Sequence, residues 1–240
     1  MSDTFQPLQP TVVLAVAAHP DDLEFGVAGT VASFIAGGAD VYYYILTNAN
    51  KGSDDRSITP DQLRDIRRDE QREACRILGV KDVFFSDYED GLLEVTPALK
   101  CDIVRVIRQV RPEVVLTMDP TEVYSVSLGM VNHTDHRAAG LATLDAVYPL
   151  ARDHLSFPEL CDAEKLEPHK VKTLLMTNFE KQNFYVDITP HIDTKLQALA
   201  AHKSQVGDAA FEHVRRRAES AGRHTGTQYA EGFIRLDFSL

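Results

Sequence analysis

Seven apolar residues run unbroken from Val12 to Ala18 and end abruptly at His19-Pro20-Asp21-Asp22. A run with no polar alternation reads as a strand buried on both faces, as in a parallel sheet. Parallel strands need long crossover connections, most often helical, and the following sequence supplies them. Glu24–Ala36 has a helical pattern ended by Gly37-Gly38. Val41–Leu46 is a second apolar strand, followed by a polar loop from Thr47 to Asp55. Pro60–Leu78 is an amphipathic helix with Leu63, Ile66, Ala74, Ile77 and Leu78 along one stripe, stopped by Gly79. A short strand at Val83–Phe85, a helix at Pro97–Val110 closed by Arg111-Pro112 and a strand at Val114–Met118 continue the alternation. The pattern predicts an α/β, Rossmann-like fold: a mostly parallel sheet with helices on both faces, in a single domain.

After a long loop, Thr121 to Asn132, a helix spans His133–Val147 and the pattern then loosens. Strands are expected at Val171–Met176, Phe184–Ile188 and Phe233–Phe238, and helices at Pro190–Ser204 and Phe211–Ala221. No repeat or linker divides the chain. Residues 1–10, polar and containing Pro7 and Pro10, read as an N-terminal extension to a domain over 11–240.

Composition narrows the function. A net charge of −11 argues against nucleic acid, whose phosphates demand clustered Lys and Arg. The one basic run, Arg215-Arg216-Arg217, reads as a solvated helix face. Three cysteines, Cys75, Cys101 and Cys161, form no CxxC and suit free thiols in a reducing compartment, the first two buried in helices. No apolar stretch approaches the ~20 residues of a membrane span, and the amino terminus has no signal pattern. A cytoplasmic, soluble protein is expected.

Two polar clusters stand where strands end and helices begin: His19-Pro20-Asp21-Asp22 and His133-Thr134-Asp135-His136. Open α/β sheets bind ligands at that edge. Imidazoles and carboxylates with a position left for water make up the usual catalytic zinc site. His19 and Asp22 are three apart, as are His133 and His136, so each pair can share one helical face. Asp21 and Asp22 cannot point the same way, which suits one to metal and the other to water. Alternatively, the aspartates cap a helix and the histidines lie satisfied at the surface. A nucleotide-binding turn is not indicated, because Gly26 and Gly29 fall inside the helical pattern.

These residues resemble the PIG-L/LmbE-like zinc-dependent N-deacetylases, enzymes that act on N-acetylglucosamine-containing molecules. The resemblance rests on Ala18-His19-Pro20-Asp21-Asp22 and His133–His136. It extends to Leu46-Thr47-Asn48, Ile66–Glu70, Leu78-Gly79-Val80, Asp90-Gly91, Ala201–Gln205 and Tyr229–Phe233. It implies Zn2+, or Fe2+ or another divalent metal, bound by His19, Asp22 and His136. Asp21 would be the general base. His133 would stabilise the oxyanion or protonate the leaving amine, with Asp135 orienting His133. Arg67 and Asp90 resemble residues that hold the sugar, and Asn48 is a rim contact by its loop position. The sequence departs from the family at Thr134, where many members have Pro, and at Val131, where some carry a Tyr that Tyr124 would replace. His224 lies just before the Tyr229–Phe233 segment and would line the pocket of its own or a neighbouring subunit in a homo-oligomer. His202 is expected to pack behind the site. The expected substrate is a small amino-sugar compound; an amidase for another amide and a non-catalytic module on the same fold are the other readings.

Overall fold

The apolar run becomes β1 (Val12–Ala17) in a computed structural model that describes residues 6–126 and 128–238. Its alternate side chains enter different cores, which explains the missing polar alternation. Val13, Ala15 and Ala17 pack with Val31, Phe34 and Ala74, whereas Leu14 and Val16 pack with Leu99, Ile103 and Ala142.

In chain order, β1 is followed by α1 (Asp22–Gly26), α2 (Ala28–Ala36), β2 (Asp40–Thr47), α3 (Pro60–Leu78) and β3 (Asp82–Tyr88). Next come α4 (Pro97–Val110), β4 (Val114–Met118), a hairpin of β5 (Tyr124–Ser125) and β6 (Met130–Val131), and α5 (Thr134–Val147). The remainder is α6 (Pro158–Asp162), β7 (Thr173–Thr177), β8 (Phe184–Asp187), α7 (Ile192–Leu199), α8 (Asp208–Gly222) and β9 (Ala230–Asp237). A seven-stranded sheet runs β3-β2-β1-β4-β7-β9-β8. The first five strands are parallel, and β9 runs antiparallel to both β7 and β8. Helices cover both faces, and one domain results. Of the expected N-terminal extension, residues 1–5 lie outside the described residues; the Gln6 carbonyl accepts from Arg235.

Local chemistry sets the boundaries of α3 and α4. Thr59 and Gln62 form a reciprocal capping box at the start of α3, and Gly79 takes φ 82° at its end. Thr96 caps α4. The predicted Glu24–Ala36 helix is instead broken at Val27, giving α1 and α2. Tertiary contacts account for the break. The buried Glu231 carboxylate accepts the backbone N–H groups of Gly29 (3.0 Å) and Thr30 (2.7 Å), and Lys195 Nζ joins it at 2.5 Å. A new helix start therefore has its free donors satisfied from β9, a partner over 200 residues away in the chain. The predicted Pro190–Ser204 helix shortens to α7, and the Thr121–Asn132 loop folds partly into the β5–β6 hairpin. Of the cysteines, Cys75 is buried, while Cys101 and Cys161 are half-buried; all three are free.

The contact between α5 and β4 depends on Gly140. A Cβ there would sit 2.2 Å from the Met118 carbonyl oxygen. Gly140→Ala is expected to destabilise the fold by about 1–3 kcal/mol through overpacking against backbone, measured as a lower midpoint in urea unfolding. An unchanged midpoint would contradict this packing.

Candidate active site

The chain turns sharply after β1. Asp21, immediately before α1, has φ 90° and ψ −30°, a strained conformation for a residue with a Cβ. β4 lies beside β1, so the start of α5, which follows the β4 loop, comes to the same sheet edge. The turn after β3 adds Asp90.

These segments meet around His19. Its Nε2 lies 3.1 Å from Asp135 Oδ2 and 3.2 Å from Asp90 Oδ1, and its Nδ1 lies 3.5 Å from Asp22 Oδ2. The other Asp22 oxygen is 3.0 Å from His136 Nε2. His133 meets the His19 ring edge-on, with centroids 4.8 Å apart. Among the described residues, two trios have donor atoms close enough together for one ion: His19–His133–His136 and His19–Asp90–Asp135. Asp22 touches both His19 and His136, so the three ligands expected from sequence are also brought together.

Hydrogen bonding distinguishes these arrangements. When His19 Nε2 donates to Asp135 and Asp90, Nδ1 is left with its lone pair on the Asp22 side. His136 Nδ1 is 3.1 Å from Asn132 Oδ1, an acceptor, which leaves Nε2 free on the same side. Carboxylates and amides that bond the distal nitrogen are the usual support of metal-ligating histidines. This pattern favours His19, Asp22 and His136 as ligands and gives Asp90, Asp135 and Asn132 supporting positions.

The electrostatics fit a cation. Burial alone would lower the His19 pKa, but hydrogen bonds to Asp135, Asp22 and Asp90 outweigh it and push it up to about 12. Burial also works against ionisation of Asp22, yet the charge and hydrogen bond of His136 hold it well below the usual carboxylate range. Buried carboxylates so arranged require positive charge among them, and a mixed imidazole–carboxylate donor set suits zinc. Asp21 differs. Burial first, and then the Asp22 charge, push its carboxyl up to about 7, against the pull of Arg67 at 3.7 Å. His133 is pushed down by burial and by the His19 charge. Its Nδ1 accepts the Asp135 backbone N–H at 3.1 Å, so the neutral ring carries its proton on Nε2.

Several expected roles are relocated. The Asp135 side chain does not orient His133: its nearer oxygen stays 4.0 Å from His133 Nδ1. It accepts instead from the backbone N–H groups of Gly91 and Leu93 (2.7 and 3.1 Å) and meets His19. His133 is the N-cap of α5, and its ring takes the Asp135 backbone N–H, which leaves the carboxylate to other partners. Arg67 is buried and donates to the carbonyls of Pro20, Ala49 and Lys51, tying the two loops to α3. Asp90 belongs to the His19 cluster. Asn48 accepts the Asp90 N–H and donates to Glu89, shaping that turn. Tyr124 is 65 % exposed on β5, and its hydroxyl makes no hydrogen bond among the described residues. His224 stacks on Tyr185 at 4.9 Å and lines a recess with Lys195 and Glu231 that shares Phe25, Gly26 and Phe179 with the cavity beside Asp22 and His136.

A buried relay lies behind Asp21. Gln71 Oε1 accepts the Asp21 N–H at 3.3 Å, Gln71 Nε2 donates to Glu24, and Glu24 meets His202 Nε2 at 3.0 Å. Glu24, Gln71 and His202 are fully buried. His202 was expected behind the site; Glu24 and Gln71 were not anticipated. Their signal was present, because Arg67 and Gln71 occupy the same buried stripe as Leu63, Ala74 and Leu78. A cavity of about 300 Å³ opens beside Asp22 and His136, with Phe25, Met118 and Phe179 among its walls.

Comparison with known proteins bears on this geometry. The family described as GlcNAc-PI de-N-acetylase (PIG-L) matches residues 14–147. Diacetylchitobiose deacetylase of Thermococcus kodakarensis is 33% identical over 92% of this chain and 81% of its own length. A probable N-acetyl-alpha-D-glucosaminyl L-malate deacetylase 2 of Bacillus anthracis is 29% identical over 83% of this chain and 84% of its own. The solved N,N'-diacetylchitobiose deacetylase from Pyrococcus horikoshii superposes with a TM-score of 0.85 at 30% identity, covering 95% of this chain and 84% of that one.

The relay carries a pH signature. Burial lowers the His202 pKa, but the hydrogen bond and charge of Glu24 outweigh it, so the folded value is raised. Its stabilisation is then complete below the unfolded value of about 6.5 and is lost as pH rises through the folded value. The stability advantage of wild type over His202→Gln should therefore narrow as pH rises above the unfolded value of about 6.5 and through the raised folded value, measured by urea unfolding. A constant or widening difference would contradict the assignment.

Proposed function

The chain belongs to the PIG-L family of GlcNAc-PI de-N-acetylases, and from that premise we propose that it hydrolyses the N-acetyl group of an N-acetylglucosamine-containing small molecule. The products are acetate and a free amine. The observation that carries this reading is the junction of the two sequence clusters, with Asp22 between His19 and His136 and Asp21 beside them.

We assign His19, Asp22 and His136 to a divalent ion, zinc by preference; a two-histidine, one-carboxylate set also suits iron(II). Such an ion supplies Lewis acidity, which polarises a carbonyl and acidifies water. The chain's own residues supply the rest. Asp21, with a carboxyl poised near neutral pH, takes a proton from water as its oxygen forms a bond to the acetamide carbon. His133 presents its Nε2–H to the carbonyl oxygen as negative charge develops there. The C–N bond then breaks, the nitrogen receives the proton held by Asp21, and the amine departs. Asp135 and Asp90 keep His19 in its tautomer, and Asn132 does the same for His136.

Assembly and location are further parts of the proposal. Val126, Leu128 and Val131 are 85, 53 and 77 % exposed around the β5–β6 hairpin, an apolar edge suited to contact between copies of the chain. Among the described residues no helix is long and apolar enough to cross a membrane, in keeping with a cytoplasmic enzyme.

Acetate release from simple N-acetylglucosaminides tests the activity; no release by metal-loaded enzyme from any of a panel of aglycones would overturn it. Asp21→Asn should keep its metal and lose turnover by roughly 10² or more. Near-normal turnover would move the base elsewhere. His136→Ala should lose most of its bound metal while the sheet stays folded, read by metal analysis and circular dichroism. Full occupancy in that variant would refute the ligand assignment.

A further inference from the structure

Arg217 departs from its expected solvated position. It lies on α8, and its guanidinium lines the 300 Å³ cavity that Asp22 and His136 open into. It also borders the adjoining recess that holds Lys195 and Glu231. One face is covered by the Phe179 ring, 4.2 Å from guanidinium carbon to centroid. Among the described residues it has no hydrogen-bond acceptor and no ion-pair partner; the charges of Glu231 and Glu122 favour its ionised form and that of Lys195 opposes it.

Both of those carboxylates are already engaged. Glu231 binds Lys195 and the backbone of Gly29 and Thr30. Glu122 accepts the Phe179 N–H through both oxygens, at 3.1 and 3.3 Å. Arg215 and Arg216, its neighbours in sequence, pair with Asp193 and Glu212 at the surface, as the solvated reading requires. Arg217 thus lacks a directly bonded counterion, although Asp22, Asp119 and Glu122 line the same cavity. Burial opposes its charge, and an unpaired charge in such a place is unfavourable unless something pairs it. Sugar hydroxyls would satisfy its donors but leave its charge unmatched. An anion does both, and the planar guanidinium fits a carboxylate or phosphate through two parallel bonds. His213 lines the same cavity one turn earlier on α8, on the same helical face.

We propose that Arg217 is a specificity-determining residue that binds an anionic group on the aglycone of the substrate, so that the preferred substrates are N-acetylglucosaminides carrying a carboxylate or phosphate. This rests on the deacetylase reading for the position of the sugar, but not for the presence of the cation in the cavity.

The test compares three probes with metal-loaded enzyme: methyl N-acetylglucosaminide, N-acetylglucosaminyl malate and N-acetylglucosamine 1-phosphate. Acetate release and calorimetric binding are both measured. Wild type should favour at least one anionic probe over the methyl glycoside by roughly tenfold or more, the scale of a charge-assisted pair; the two anionic arms separate carboxylate from phosphate. Arg217→Gln should abolish that preference while handling the methyl glycoside as wild type does, and Arg217→Lys should restore part of it. Equal handling of all three probes by wild type would overturn the proposal. So would an equal loss on neutral and anionic probes in Arg217→Gln. A calorimetric preference that depends on Arg217, without acetate release, would sink the deacetylase reading and leave this assignment standing.

Discussion

Three carboxylates, from Asp22, Asp90 and Asp135, face the single imidazole of His19 in a buried pocket. They arrive from the end of β1, the turn after β3 and the first turn of α5. Bringing like charges together away from water is unfavourable unless positive charge is placed among them. His19 meets that demand in part, by holding a proton far above the usual imidazole range. A divalent ion would meet it more fully and would release that proton, the usual coupling of metal binding to protonation. The geometry of the site follows from this balance. Asp135 and Asp90 turn His19 so that Nδ1 faces Asp22, Asn132 turns His136 to meet it, and Asp21 is left on the neighbouring side.

The fold serves the site by placing loop ends at one sheet edge. β1 is buried on both faces, and the turn that follows it can be strained because the sheet holds its start. The positive φ of Asp21 is supported from behind: Gln71 bonds its N–H, Glu24 and His202 hold Gln71, and Arg67 ties Pro20 to the loop after β2. Strain at a reactive residue persists where the surroundings over-determine it. On the other side, Glu231 and Lys195 end α1 and start α2, which sets the wall formed by Phe25 and Gly26.

Sequence reasoning recovered what local chemistry determines. α3, α4 and β4 have the predicted limits because a capping box, cap threonines and apolar runs define them. The α/β class followed from periodicity alone, and the two halves of the site followed from their place at strand ends. What depended on distant partners was not legible. The break at Val27 depends on a carboxylate in β9, and the partner of Asp135 is His19, 116 residues away, rather than its near neighbour His133. Arg217 could not be told from Arg215 and Arg216 by composition, because only the packing of α8 against Phe179 turns one of the three inward. His224 lies near the β9 segment in sequence, and the fold stacks it on Tyr185 in the recess adjoining the site cavity, a contact that sequence alone does not show.

The central claim is that the charge cluster is built for one divalent ion held by His19, Asp22 and His136. Anomalous diffraction from crystals of the zinc-loaded protein, collected on either side of the zinc edge, tests it most directly. The account predicts a single strong anomalous peak in contact with those three side chains, with Asp90 and Asp135 hydrogen-bonded to His19 and outside the coordination sphere. A peak held by Asp90 and Asp135, or none at this cluster, would contradict it.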